Sequence, residues 1–190
     1  MQSVLDIGRR VSLKPGAGKT APALNPGFSY LRVQVDGRVA YFALGYQDPH
    51  PNGEIEVWYS REKEVLRLQN GRLVGAVGMA KEWRSVSSSA MPWSDDMKPA
   101  SFSRVRDVSP GYLYGIHEQV RVWRVPPPAN TKLVGVAPES LVWFEEVAEG
   151  AHQLPPSLYG LRNEADKLQV IYSEVCLDSE LCFTWQRWQP

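Results

Sequence analysis

The segment from Val65 to Val77 constrains the fold more than any other part of the chain. Asn70-Gly71 supplies the two positive-φ positions that a tight two-residue hairpin turn needs. Folding the chain there sets Gln69 opposite Arg72 and Leu68 opposite Leu73, so turn chemistry and apolar register agree on one hairpin. The same period of two recurs upstream. Leu31, Val33 and Val35 share one face while Arg32, Gln34 and Asp36 share the other, which predicts a half-buried strand. Asp36-Gly37 then turns the chain into a partner strand from Arg38 to Tyr46.

Gln47 to Gly53 reads as a loop, since Pro49 and Pro51 remove two backbone donors within three residues. Ile55, Val57 and Tyr59 alternate with Glu54, Glu56 and Trp58 in a further strand, with Trp58 assigned to the face of the two glutamates. From 79 to 110 the pattern weakens. Met79 to Ser89 has the length of a short helix, but the serine run 87–89, Pro92 and Pro99 favour an irregular connection. Strand character returns at Tyr112 to Glu118, Gln119 to Val125, Leu133 to Ala137, Leu141 to Val147, Leu168 to Ser173 and Leu181 to Trp188. About nine or ten short strands without a capped helical stripe predict a mostly β chain. The expected architecture over 1–190 is one antiparallel barrel-like or sandwich domain built from hairpins, with little helix.

Charge excludes some functions. The chain of 190 residues carries 21 Lys plus Arg against 21 Asp plus Glu, so no net attraction for phosphate backs a nucleic-acid partner. No run of 18 apolar residues offers a helical membrane span. Residues 1–10 lack the charged-then-apolar pattern of a secretory leader, which fits either a cytoplasmic protein or one whose leader lies outside this sequence. Cys176 and Cys182 bear on that choice. Strand-like sequence flanks both, and opposed positions on antiparallel strands lie close enough at Cα for a bridge. The alternative is two unrelated buried thiols. The expectation is a hairpin-clamping disulfide, which belongs to an oxidising compartment.

Three features carry candidate chemistry. Gly16-Ala17-Gly18-Lys19-Thr20 resembles the end of a phosphate-binding loop, and Leu141 to Glu146 its acidic partner. The pattern lacks the earlier glycine, Leu13 standing in its place, and Pro22 and Pro26 forbid the helix that phosphates require. Nucleotide is therefore not expected. His50, His117 and His152 are scattered without metal-ligand spacing or a neighbouring nucleophile, so no metal, cofactor or catalytic residue is assigned. The third feature is aromatic: seven Trp, eight Tyr and five Phe. Exposed rings stack on sugars, and Trp58, Trp83 and Trp93 are the candidates for exposure, against the alternative that each fills the core.

Tyr30-Leu31-Arg32-Val33 through Gly45, then Val57-Trp58-Tyr59-Ser60, Val65-Leu66-Arg67-Leu68 and Asn70-Gly71-Arg72-Leu73-Val74 ending at Gly78, together resemble the YjbF/GfcB-like lipoprotein family of group 4 capsule and exopolysaccharide production. The resemblance is clearest in the first half of the chain. Arg61-Glu62-Lys63-Glu64 stands where the family tends to have a small turn, and the N-terminal cysteine that would carry the lipid is absent. The resemblance implies a non-enzymatic accessory protein facing the periplasm from the outer membrane, anchored by a lipid outside this sequence. Its implied partners are the polysaccharide or the proteins that assemble and secrete it. No catalytic residue is carried over. Trp58, Arg72, Trp83 and Trp93 are the expected contacts for saccharide or partner, Arg72 as a guanidinium able to meet an anionic sugar or to bridge a strand edge. Alternatives are a carbohydrate-active enzyme, which needs two carboxylates across a groove, and a β-barrel carrier of an apolar ligand. Glu145 and Glu146 do not suit the enzyme, because neighbours in a strand face opposite ways.

Overall fold

Period-two sequence becomes strand along most of the chain in the computed structural model, which describes residues 23–150, 152–164 and 167–190. The strands are β1 Tyr30–Val35, β2 Arg38–Asp48, β3 Ile55–Ser60, β4 Val65–Gln69, β5 Arg72–Val77, β6 Glu82–Ser88, β7 Ala100–Ser109, β8 Leu113–Val125, β9 Val142–Glu149, β10 Ser157–Glu164, β11 Lys167–Cys176 and β12 Cys182–Trp188. Each pairs antiparallel with its sequence neighbours, and β12 pairs with β1 through Val33 opposite Trp185, closing a twelve-stranded barrel. Alternation fits sandwich and barrel alike; the β1–β12 ladder decides for the barrel. Leu31, Phe42, Leu66, Val120, Phe144 and Trp185 belong to the one cluster that fills the interior. His117, Gln119 and Arg121 of β8 face outward and are exposed. This apolar-in, polar-out pattern is the reverse of a lipid-facing barrel wall.

The predicted hairpin forms in the predicted register, with Leu68 opposite Leu73 and Gln69 opposite Arg72. Asn70 and Gly71 have φ of 49° and 75°. A Cβ at Gly71 would lie 2.4 Å from Val170, so the turn also needs glycine for space. Asp36 and Gly37 repeat the turn geometry between β1 and β2. Cys176 and Cys182 stand opposite each other at the head of β11 and β12 and form the expected disulfide.

The irregular segment expected over 79–110 shrinks to a connection at 89–99, because β6 and β7 occupy its flanks. Neither a helix nor a loop forms at 82–88: Trp83 and Val86 point toward the core while Arg84, Ser85 and Ser87 are exposed, a strand pattern that the serine content hides. Leu133 to Ala137, expected as a strand, crosses the outside of the barrel instead. The Gln186 side chain stands in for a neighbouring strand there, its Nε2 donating to the Val134 carbonyl at 2.8 Å and its Oε1 accepting from the Val134 N–H at 2.9 Å. This strap covers an external cluster of Leu141, Trp143, Ile171 and Tyr172. Strand β10 fills a stretch where the sequence suggested none. The phosphate-loop-like residues Gly16 to Thr20 lie outside the described residues.

Candidate functional site

Up-and-down order sends the β2–β3, β4–β5, β6–β7, β8–β9 and β10–β11 connections to one rim. An open depression of ≈ 1110 Å³ lies at that mouth, bordered by Glu54, Glu56, Asp95, Asn163, Lys167 and Arg187 among others. The connection 89–99 bends into it and lowers Trp93 onto the barrel interior. Trp93 is 8% exposed. Its indole N–H donates to the Asn70 carbonyl at 2.8 Å, and its ring packs on Phe144 and Tyr159.

Directly against Trp93 sits Arg72, its guanidinium carbon 3.5 Å from the ring centroid. Arg72 Nε donates to Glu146 at 2.7 Å, and Nη1 donates to the Met91 carbonyl of the same connection at 3.0 Å. The turn places Arg72 at the start of β5, while the face of β9 that holds Phe144 brings Glu146 in from across the barrel. The Tyr159 phenol lies beside this pair. Burial, reinforced by the Glu146 carboxylate, pushes its pKa well above the ordinary tyrosine value, so it stays neutral.

A second charged group continues inward. Arg104 Nε and Arg106 Nη2 both donate to Glu118, each at 2.8 Å. Arg104 and Glu118 are cross-strand partners, and Arg106 is two residues along the same face. Both guanidiniums lie 5.1 Å from the Trp83 ring. Arg72, Arg104, Glu146, Ser157 and Tyr159 border a small void of ≈ 20 Å³, room for about one water. That is far below what an apolar cargo needs, so this void is not a chamber for one.

The expected exposed tryptophans are buried: Trp58 is 1%, Trp83 2% and Trp93 8% exposed. Arg72 is buried too, at 7%. Trp58 lies on the inward face of β3, opposite to expectation. Glu56 shares that face because it sits at the mouth, where Arg187 Nη2 donates to its carboxylate at 2.8 Å and Trp58 Nε1 donates at 3.2 Å. Trp83 donates to the Leu177 carbonyl at 3.0 Å near the other rim. What survives of the expectation is the neighbourhood: each of the three indoles lies within cation–π range of an arginine. Arg72 and Trp93 are brought together; Trp83 joins them through Arg104, whereas Trp58 belongs to the separate Arg187–Glu56 group.

Sequence reasoning missed Arg104, Arg106, Glu118 and Tyr159, and considered Glu146 only as a catalytic acid or a nucleotide-site acid. A signal existed. Phe102, Arg104, Arg106 and Val108 occupy one strand face, as do Ile116, Glu118, Val120 and Val122, so charge interrupts two otherwise apolar faces in matching register. The most exposed aromatics were missed as well: Tyr112 and Tyr114 are 75% and 67% exposed at the β7–β8 turn on the opposite rim. Among the described residues no group of three or more His, Cys, Asp or Glu could hold a metal ion.

Residues 24–153 match the family model described as group 4 capsule polysaccharide lipoprotein gfcB, YjbF. Among solved structures, the hypothetical lipoprotein YmcC from Escherichia coli K12 superposes with a TM-score of 0.66 at 14% identity, over 86% of this chain and 84% of that one. At that identity the likeness is one of fold. No curated protein matches the chain.

Proposed function

The chain belongs to the YjbF family of group 4 capsule polysaccharide lipoproteins, and on that premise we propose a non-enzymatic accessory protein for assembly or export of a surface polysaccharide. It faces the periplasm from the outer membrane through a lipid anchor, and the mouth of the barrel is its polymer contact. The observation that carries this reading is the family match across residues 24–153. The mouth supports it by its make-up. Trp93 borders an open polar depression and stacks on the Arg72 guanidinium buried beneath it, so the two groups that recognise sugars, an aromatic face and a hydrogen-bonding fork, lie together under the mouth. Glu118 and Glu146, the acids buried in the barrel interior near the mouth, are each held by arginine. Buried and bound to guanidiniums, these two carboxylates do not face each other across an open groove as glycoside hydrolysis needs, which favours binding.

The test is deletion of the gene followed by complementation. Surface polymer should fall in the deletant, return with the unaltered protein, and fail to return with Trp93→Ala despite normal protein levels. Undiminished surface polymer in the deletant would overturn the proposal. A second reading rests on the exposed Tyr112-Leu113-Tyr114 tip, which suits a protein of the same secretion machinery. Loss of complementation by Tyr112→Ser with Tyr114→Ser, but not by Trp93→Ala, would select it.

A further inference from the structure

Charge does not balance inside the barrel. Arg72, Arg104 and Arg106 face Glu118 and Glu146, three guanidiniums against two carboxylates. All five are nine-tenths or more buried at the side chain. The other buried carboxylate, Glu64, belongs to the β3–β4 turn at the opposite rim, where it accepts from Ser60. Arginine cannot relieve the surplus by losing its proton. An unmatched buried charge is costly, so it calls for a counter-charge. Two buried donors also lack partners: Arg72 Nη2 and Arg106 Nε. The void of ≈ 20 Å³ adjoins both Arg72 and Arg104; Ser157, Tyr159 and the arginine-paired Glu146 carboxylate share its wall with apolar Leu73, Trp83 and Phe102.

Resting on the polysaccharide reading above, we infer that this interior is an anion site for the carboxylate of an acidic sugar, seated between Arg72 and Arg104 and covered by Trp93. With room for about one water, the void seats a single carboxylate oxygen. The sugar ring behind it needs the space now taken by Trp93; that indole is held by its bond to Asn70 and its ring contacts, and its connection by Arg72 on the Met91 carbonyl, Arg124 Nη1 on the Asp95 carbonyl at 3.4 Å and Asn163 Nδ2 on the Asp95 carboxylate at 3.4 Å. Moving the 89–99 connection outward therefore frees both a guanidinium and an aromatic face at one point. A neutral sugar would leave the surplus charge unmatched, so the site selects acidic polymer.

Binding is measured on the whole protein by thermal shift and tryptophan fluorescence, with sodium glucuronate, glucose and sodium acetate as probes at constant ionic strength. Glucuronate is expected to give a saturable rise in Tm and a fluorescence change. Glucose should give neither, and acetate should bind at least tenfold more weakly for want of the ring. Arg104→Met leaves Glu118 on Arg106 and Glu146 on Arg72, balancing the interior, and should weaken glucuronate at least tenfold. Equal responses to glucose and glucuronate, equal affinity for acetate, or an unchanged response in Arg104→Met would each overturn the inference. The probe comparison needs no variant, so it stands if Arg104→Met does not fold. A deletant with undiminished polymer would remove the polysaccharide reading while leaving these binding results in force.

Discussion

The two rims of the barrel are closed by different means. At one, Cys176 and Cys182 are bonded across β11 and β12, Leu177 N–H donates to the Leu181 carbonyl at 2.9 Å, and Asp178 accepts from the Glu180 and Leu181 N–H groups. Trp83 joins this cap to the core through the Leu177 carbonyl. At the other, the connection 89–99, without strand structure, closes the barrel: Trp93 rests on a cation, Ala90 and Met97 pack on the core, and Arg124 and Asn163 bond Asp95. A covalent and backbone-bonded rim is expected to open only with the fold, whereas a rim closed by stacking and side-chain bonds is expected to open at lower cost. The difference predicts that the mouth yields before the disulfide-closed rim.

That contrast can be broken at several points. The largest effect is expected from Glu118→Ala, which strands Arg104 and Arg106 together in the interior that both rims enclose. Stability should fall by about 3–5 kcal/mol in urea unfolding, and a loss below about 1 kcal/mol would show that the network is hydrated. Trp93→Ala should cost about 3 kcal/mol, the lower end for a buried tryptophan because its site borders solvent. Amide exchange in 89–99 should rise while exchange around Cys176 stays unchanged; a uniform rise would mean that the rims are not independent.

Replacing Cys176 and Cys182 by serine should cost about 2 kcal/mol, as expected for so short a closed loop. It should raise exchange near Leu177 and leave the mouth alone, and thiol titration of the denatured, unreduced protein should find no free thiol. Alkali probes the mouth by another route. Tyr159 has a folded pKa above its unfolded value, so its contribution is complete below about pH 10 and is lost as pH rises beyond that, at up to about 1.4 kcal/mol per pH unit. Tyr159→Phe should flatten that decline, and an unchanged slope would show that the phenol already meets water. The smallest effect belongs to Gly37→Ala, on the covalently closed rim. No atom lies within 4 Å of its Cβ position, so only the positive φ is strained, at about 1 kcal/mol. Gly71→Ala has the same φ problem and a Cβ 2.4 Å from Val170, so its midpoint should drop further.

The sequence by itself determined the local pieces. Asn70-Gly71 and Asp36-Gly37 set their turns because positive φ is a property of two adjacent residues, and the register of Leu68 on Leu73 followed from the turn. The cysteine bridge was legible for the same reason, being a contact across one hairpin. Family membership was also readable, through residues concentrated in the first half of the chain. Tertiary structure alone decided which face of β3 is inside. Glu56 made the Trp58 face look outward, yet a barrel has ends, and a charge at the mouth can meet Arg187 while the next residue on its face is fully buried. It alone decided that β12 returns to β1, since closure pairs residues from the two ends of the sheet. It also decided the role of Arg72. The residue looked like a surface arginine after a turn, and only curvature of the sheet brings Glu146 and Trp93 onto it from distant strands and connections. Local sequence specifies backbone conformation over a few residues; a buried charge network is specified by which distant faces converge, and period two carries no record of that.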